Sequence, residues 1–349
     1  MEPIRPRHLR PGDTVAVVSP SWGGPALFPH VFERGLAVLR EDFGLRVREM
    51  PTARMTPAAL QADPRARAAD LHHAFADPEI AAIIASIGGE DSVRVLPYLD
   101  RELIRTNPKI LMGFSDTTTL LTFANQLGLV TFHGPSVMAG FAQLRALPPA
   151  CAAHLREMLF SAAPTYTYRP YGAYIEGYLA WNDPANTGLV EPLRDDPGGF
   201  RRLQGTSPAM GRLFGGCIEV LELMKGTSFW PEPAFWTGRI LLFETSEEVP
   251  PPARVGYFLR NYGMQGIFDR VAGIVFGRAR GYTPEQKREL EERIVSIVAG
   301  EFGRTDIPIV TNVDFGHTDP QLVMPLGVLA ELDPAGPSLR LVEPACALG

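Results

Sequence analysis

Three apolar runs early in the chain each stop at small or polar residues, and each is followed by a helical pattern. They are "DTVAVVSPS" (residues 13–21), "IAAIIASIGGED" (80–91) and "KILMGFSD" (109–116). A run that is apolar on both faces and flanked by helices reads as a strand buried inside a parallel sheet. Parallel strands need crossovers, and helical patterns stand where crossovers belong, at "HVFERGLAVLREDFG" (30–44) and "PRARAADLHHAFADP" (64–78), with Leu71 and Phe75 four apart. "LRVREM" (45–50) and "LVTFHGP" (129–135) add strands, and "SVRVLPYLD" (92–100) opens the next helix. In such a sheet ligands bind beyond the carboxyl ends of the strands, where Gly88, Gly89 and Ser115 fall.

At 349 residues the chain is long for one hydrophobic core. It divides into an amino-terminal parallel α/β domain of the Rossmann or flavodoxin type (1–163), a connector (164–208) and a carboxy-terminal α/β domain (209–349). The connector, including "PTYTYRPYGAYIEGYLAWNDPANTG", is rich in Tyr, Gly and Pro and has no sustained period. Its aromatic content predicts an ordered segment able to cover a site rather than a loose linker. The last part offers "GRLFGGCIEVLELM" as strand, turn and helix, then strands at "GRILLFET", "RVAGIVFGRAR" and "IPIVTNVDFGH". A β-hairpin follows in "GVLAELDPAGPSLRLVEPA".

Several function classes lack support. A net charge of −6 leaves no basic footprint for a nucleic-acid polymer, although one nucleotide-like ligand is compatible with it. There is no G-x-x-x-x-G-K and no G-x-G-x-x-G, so a nucleoside-triphosphate enzyme is unsupported. The three cysteines have no C-x-x-C spacing, no H-E-x-x-H occurs, and the adjacent His72 and His73 point apart on a helix. No metal or cofactor is expected. No stretch approaches the roughly eighteen apolar residues of a membrane span, and the amino terminus reads as a first strand rather than a signal peptide. These features predict a cytoplasmic location and no membrane partner.

"ILMGFSDTTTLL" (110–121) places Ser115 between a strand and a helix. Ser115 or Asp116 there serves either as a helix cap or, for Ser115, as a nucleophile on a tight turn. Serine acyl transfer also needs a base, a group that orients the base, and N–H donors for an oxyanion. His317 leaves a strand in "VDFGHTDP", and Glu244 ends "RILLFET", where an unpaired buried charge would be costly. Glu247 and Glu248, further along that loop, read as solvated. Gly88-Gly89 and the N–H of Asp116 are candidate oxyanion donors, or form an ordinary tight turn. Cys217, between strand and helix, is either a rival nucleophile or a packed apolar residue.

With these residues in view, the chain resembles the serine LD-carboxypeptidases, a family that includes the microcin C self-immunity peptidases. The resemblance runs through "RPGDTVAVVSPS", "IGGEDSVRVLPYLD", "LMGFSDTTTLL", "GRLFGGCIEVL", "LLFETSEE" and "DFGHTDPQLVMPLG", in family order. It implies Ser115 as nucleophile, Glu244 as the acidic member of the triad, His317 as base, and a homodimer. The loop Ser86-Ile87-Gly88-Gly89-Glu90-Asp91 is more like the microcin-peptidase branch than the glycine loop of muropeptide enzymes, and Cys217 stands where the family often has asparagine.

The implied activity is metal-independent cleavage of a C-terminal amide in a short peptide or a peptide–nucleotide conjugate. Gly89 and Asp116 would hold the oxyanion, with Gly88, Glu90, Asp91 and Trp181 contacting substrate. A muropeptide LD-carboxypeptidase is the nearest alternative. A noncatalytic peptide- or nucleotide-binding protein is the alternative from another class.

Overall fold

The computed structural model describes residues 2–348. The first five strands are β1 (Thr14–Val18), β2 (Arg46–Glu49), β3 (Ile80–Ala85), β4 (Ile110–Gly113) and β5 (Thr131–His133). They pair in parallel in the order β5-β4-β3-β1-β2. This is the flavodoxin-type doubly wound order, whose topological switch lies between β1 and β3. Every residue of β1, β3 and β4 is buried, as expected of strands covered on both faces. Two covering helices, Pro29–Glu41 and Pro64–Ala76, begin with proline at the first helical position, where a missing N–H removes nothing.

The connector supplies four short strands: β6 (Tyr166–Thr167), β7 (Ala173–Tyr174), β8 (Arg194–Asp195) and β9 (Arg201–Gln204). The last part forms β10 (Ala209–Cys217), β11 (Arg239–Glu244), β12 (Gly273–Gly277), β13 (Ile309–Val313), β14 (Met324–Leu326), β15 (Leu329–Asp333) and β16 (Ser338–Leu341). A second sheet runs β6-β16-β15-β10-β11-β12-β13-β9, with β10 to β13 parallel and the outer strands antiparallel. The hairpin expected at the end is β15–β16.

Three features differ from the sequence expectations. Ser92–Tyr98 is a 3-10 helix with Pro97 inside it, because proline denies the α-helical ladder a donor. The Gly-Gly of "GRLFGGCIEVL" makes no turn: β10 runs through it, and the helix Ile218–Glu222 starts directly after Cys217. Finally, β14 leaves the second unit to pair antiparallel with β5 at the edge of the first sheet, placing Met324 opposite His133. The connector's β6 and β9 in turn complete both edges of the second sheet.

The two sheets therefore share packing. One apolar cluster joins Val17, Ile83 and Phe132 of the first sheet to Leu213, Leu242 and Val310 of the second. At the carboxyl end of β10 the N–H of Cys217 donates to Thr118 Oγ1 at 3.2 Å, tying the second sheet to the helix Thr118–Gln126 that follows Ser115. Among the described residues no helix is long and apolar enough to cross a membrane.

Candidate active site

β4 ends at Gly113, Phe114 is extended, and Ser115 then turns the chain at φ 56° into a 3-10 turn leading to the helix Thr118–Gln126. Left-handed backbone at a non-glycine residue costs of the order of 1–3 kcal/mol and is retained where surrounding structure enforces it. A mere helix cap needs no such conformation, since capping residues sit in the extended region. Gly88 explains the close neighbour: a Cβ there would lie 2.7 Å from Ser115 Cβ, 2.9 Å from its Oγ and 3.4 Å from the Asp116 nitrogen. The bare backbone of the Gly88-Gly89 turn, the Ser115 hydroxyl and the Asp116 amide thus converge.

Glu244 ends β11 and is fully buried. Its Oε2 accepts a hydrogen bond from His317 Nδ1 at 2.6 Å. The approach requires Gly316, at φ 95°, because a Cβ there would come within 2.5 Å of Glu244 Oε2. The other carboxylate oxygen lies 3.7 Å from His133 Nε2, at the end of β5, and has no hydrogen-bond partner in the protein. Burial alone would raise Glu244, but the His317 charge and the His133 and His317 contacts lower it to about 2. Burial alone would lower His317, and Glu244 and Glu247 override that to raise it to about 10. The His317 ring packs edge-on against Phe114, at 5.0 Å between centroids.

Ser115 and His317 line one cavity of about 360 Å³ with Gly88 and Gly89. Apart from Ile87 and Ala139, its remaining wall is aromatic, from Trp22, Phe114, Tyr178 and Trp181, and charged, from Glu90, Glu247, Glu248 and Arg280. Trp181 stacks on Tyr178 at 5.8 Å and meets Phe28 edge-on at 5.7 Å, while its carbonyl accepts from His30 Nε2 at 2.8 Å. Tyr178 donates its hydroxyl to Asp319 Oδ2 at 2.5 Å, which fixes this part of the connector beside the His317 turn.

Some expected contacts fall elsewhere. Asp91 is not in the cavity wall, because its carboxylate is held by Arg67, at 2.7 and 3.2 Å, and by Arg94 at 2.9 Å. The Asp116 carboxylate, whose backbone N–H alone was expected at the site, is buried and accepts from the Ser92 N–H at 2.7 Å. Cys217 is fully buried opposite Glu244 across β10 and β11, and burial with the nearby Glu244 and Glu219 charges pushes its thiol well up. A thiol so disfavoured as thiolate does not compete as a nucleophile.

Sequence reasoning missed His133 and read Glu247 as solvated. Glu247 is half exposed, yet its Oε2 lies 2.9 Å from His317 Nε2. The contact is a charge approach rather than an aligned hydrogen bond, since Nε2 has no hydrogen-bond partner in the protein. It holds Glu247 at about 2, against partial burial. The loop is pinned by Glu219 Oε1, which accepts from the Ser246 N–H at 2.9 Å and its hydroxyl at 2.8 Å. The one available signal was "TSEE" directly after the strand that carries Glu244.

The chain matches the LD-carboxypeptidase N-terminal domain over residues 15–134 and the LD-carboxypeptidase C-terminal domain over residues 210–332. It is 26% identical to the microcin C7 self-immunity protein MccF of Escherichia coli, covering 98% of this chain and 96% of that one. A structure of MccF in complex with aspartyl sulfamoyl adenosine has a TM-score of 0.85 to this fold at 26% identity, covering 99% and 100% of the two chains. The probable murein peptide carboxypeptidase of Bacillus subtilis is 28% identical over 95% of this chain and 92% of its own. A MccF-like protein from Streptococcus pneumoniae in complex with AMP has a TM-score of 0.85 at 29% identity, covering 95% and 98%. Two matched domains in the right order, on a two-domain α/β fold shared with MccF, make this chain a member of the LD-carboxypeptidase family of peptidases.

Proposed function

We propose that the protein is a metal-independent serine carboxypeptidase that cleaves a C-terminal amide bond of a short peptide or peptide–nucleotide conjugate. The observation that carries this reading is the buried His317–Glu244 hydrogen bond at the edge of a cavity that also holds a strained Ser115. In the proposed reaction Ser115 Oγ attacks the scissile carbonyl and its proton passes to His317 Nε2, which returns it to the leaving amine. Glu244 orients the ring through Nδ1 and stabilises the imidazolium. The N–H groups of Gly89 and Asp116 receive the oxyanion. Water then attacks the acyl-enzyme with His317 as base again.

Two features support the substrate class. Arg280 is the one Lys or Arg among the described residues lining the cavity, and a guanidinium suits a terminal carboxylate or a phosphate-like group. Trp22, Tyr178 and Trp181 offer flat surface to a ring on the leaving side. A structure of MccF holds aspartyl sulfamoyl adenosine, and a structure of a MccF-like relative holds AMP, which favours a nucleotide-like leaving group. Cleavage of murein peptides is the second reading, favoured by the Bacillus subtilis relative and by the free carboxylate that Arg280 would meet. Covalent trapping of Ser115 tests the enzymatic reading, and the absence of a Ser115 adduct from a protein that turns substrate over would overturn it.

A further inference from the structure

His317 faces a carboxylate at both nitrogens, hydrogen-bonded to Glu244 through Nδ1 at 2.6 Å and approached by the Glu247 charge at Nε2 at 2.9 Å. Nε2 is the atom that must take the Ser115 proton, so a base held this way is a protonated, unproductive one. Two further charged groups lie near this ring: Asp319, which accepts a hydrogen bond from the Tyr178 hydroxyl, and the Arg280 guanidinium in the same cavity wall. Glu244 is fully buried and fixed, whereas the Glu247 side chain is 54% exposed and its neighbours Glu248 and Glu90 also line the cavity. Three carboxylates against one guanidinium make an acidic wall beside the reacting atoms. The Arg280 charge acts on Glu247, but among the described residues no ion pair within 4 Å joins Arg280 to an acid, and one guanidinium leaves the three carboxylates of this wall in excess.

We infer that Glu247, backed by Glu248, is a specificity residue for a substrate whose acyl residue carries an ammonium group on its side chain, and that this side-chain ammonium releases the base. The inference rests on the serine-peptidase reading and adds the charge of the acyl residue to it. An arriving ammonium offers Glu247 a mobile cation in place of His317. As Glu247 turns to it, the proton on Nε2 passes to solvent and leaves a lone pair directed at the cavity, while Glu244 keeps the Nδ1 proton in place. An acidic acyl residue would instead meet like charge, which is a means of rejecting it. One side chain thereby selects substrate and readies the base. Glu247 acts through His317 and through the substrate's charge, and takes no part in bond breaking.

The test uses full-length protein carrying Ser115→Ala, with and without Glu247→Gln. Binding is measured by calorimetry on two scaffolds, aminoacyl sulfamoyl adenosines and short peptides ending in D-alanine, each with lysine, norleucine or glutamate as the acyl residue. On at least one scaffold the lysyl ligand should bind roughly tenfold more tightly than the norleucyl one, with the glutamyl ligand weakest. Glu247→Gln should shrink the lysine preference to within about twofold without weakening norleucyl binding. Absence of a lysine preference on both scaffolds, including absence of binding, overturns the inference, as does a preference that Glu247→Gln leaves intact. Turnover by the wild-type protein separates the two levels: hydrolysis without charge preference sinks only the inference, and charge-selective binding without hydrolysis of any ligand sinks the peptidase reading and the release of the base with it, leaving only the charge selection by Glu247.

Discussion

Glu244 Oε2 and His317 Nδ1 meet at 2.6 Å across two strand ends, with neither side chain open to solvent beyond a few percent. The pair joins the turn after β13 to the end of β11, and it links the stability of the second sheet to the state of the site. Ionised Glu244 needs a buried partner, and the imidazole needs a fixed tautomer, so each residue explains the other.

Glu244→Gln should therefore lower kcat/KM by roughly 10³ to 10⁴, as loss of the orienting carboxylate does in serine triads generally. The stability effect has a defined pH window. Glu244, lowered from 4.5 to about 2, contributes in full above 4.5 and loses its contribution as pH falls toward 2. His317, raised from 6.5 to about 10, contributes in full below 6.5 and loses its contribution as pH rises toward 10. The Tm advantage of the wild type over Glu244→Gln should be largest between pH 4.5 and 6.5 and shrink on both sides. A Tm difference that stays flat from pH 4 to pH 10 would contradict the paired charges.

Trp181→Ala should reduce kcat/KM for an aminoacyl sulfamoyl adenosine by roughly tenfold or more, the scale of one lost base-stacking contact. A peptide with a D-alanine leaving group should change by less than about twofold, since that group has no ring to stack. Trp181 also packs on Phe28 and Tyr178, so an equal loss on both substrates together with a lower Tm would assign it to anchoring the connector instead.

Exhaustive chelation should leave the hydrolysis rate unchanged. Among the described residues no group of three or more His, Cys, Asp or Glu side chains is arranged to hold a metal ion. Loss of activity that zinc restores would place the chemistry elsewhere.

The residues whose positions follow from local pattern were the legible ones. Ser115, Glu244 and His317 each end or follow a buried apolar run, which in a parallel sheet marks them as candidates for the ligand edge, while the triad roles proposed for them came from the family resemblance. That the early strands form a parallel sheet was also legible, because strand and crossover alternate along the chain, whereas their order was not. What was hidden depends on distant partners. Met324 pairs with His133 across almost two hundred residues, so neither the extra edge strand nor the placing of His133 under Glu244 has a local signal. Glu247 looked solvated because its neighbours in sequence are polar. Its carboxylate reaches His317 only because Glu219, from the helix after β10, fixes Ser246. Asp91 looked like a site residue for the converse reason, since Arg67, which holds it, comes from the helix Pro64–Ala76.

The central claim is that Ser115 is the nucleophile and His317 its base, and a serine-directed fluorophosphonate tests it most directly. Intact-mass analysis of the native protein should show one adduct, peptide mapping should locate it on Ser115, and hydrolysis should be lost in step with labelling. Ser115→Ala should take up no label and lose activity by at least about four orders of magnitude with an unchanged Tm, and His317→Ala should label far more slowly. An adduct on another residue such as Cys217, or near-wild-type turnover by a well-folded Ser115→Ala protein, would contradict the account.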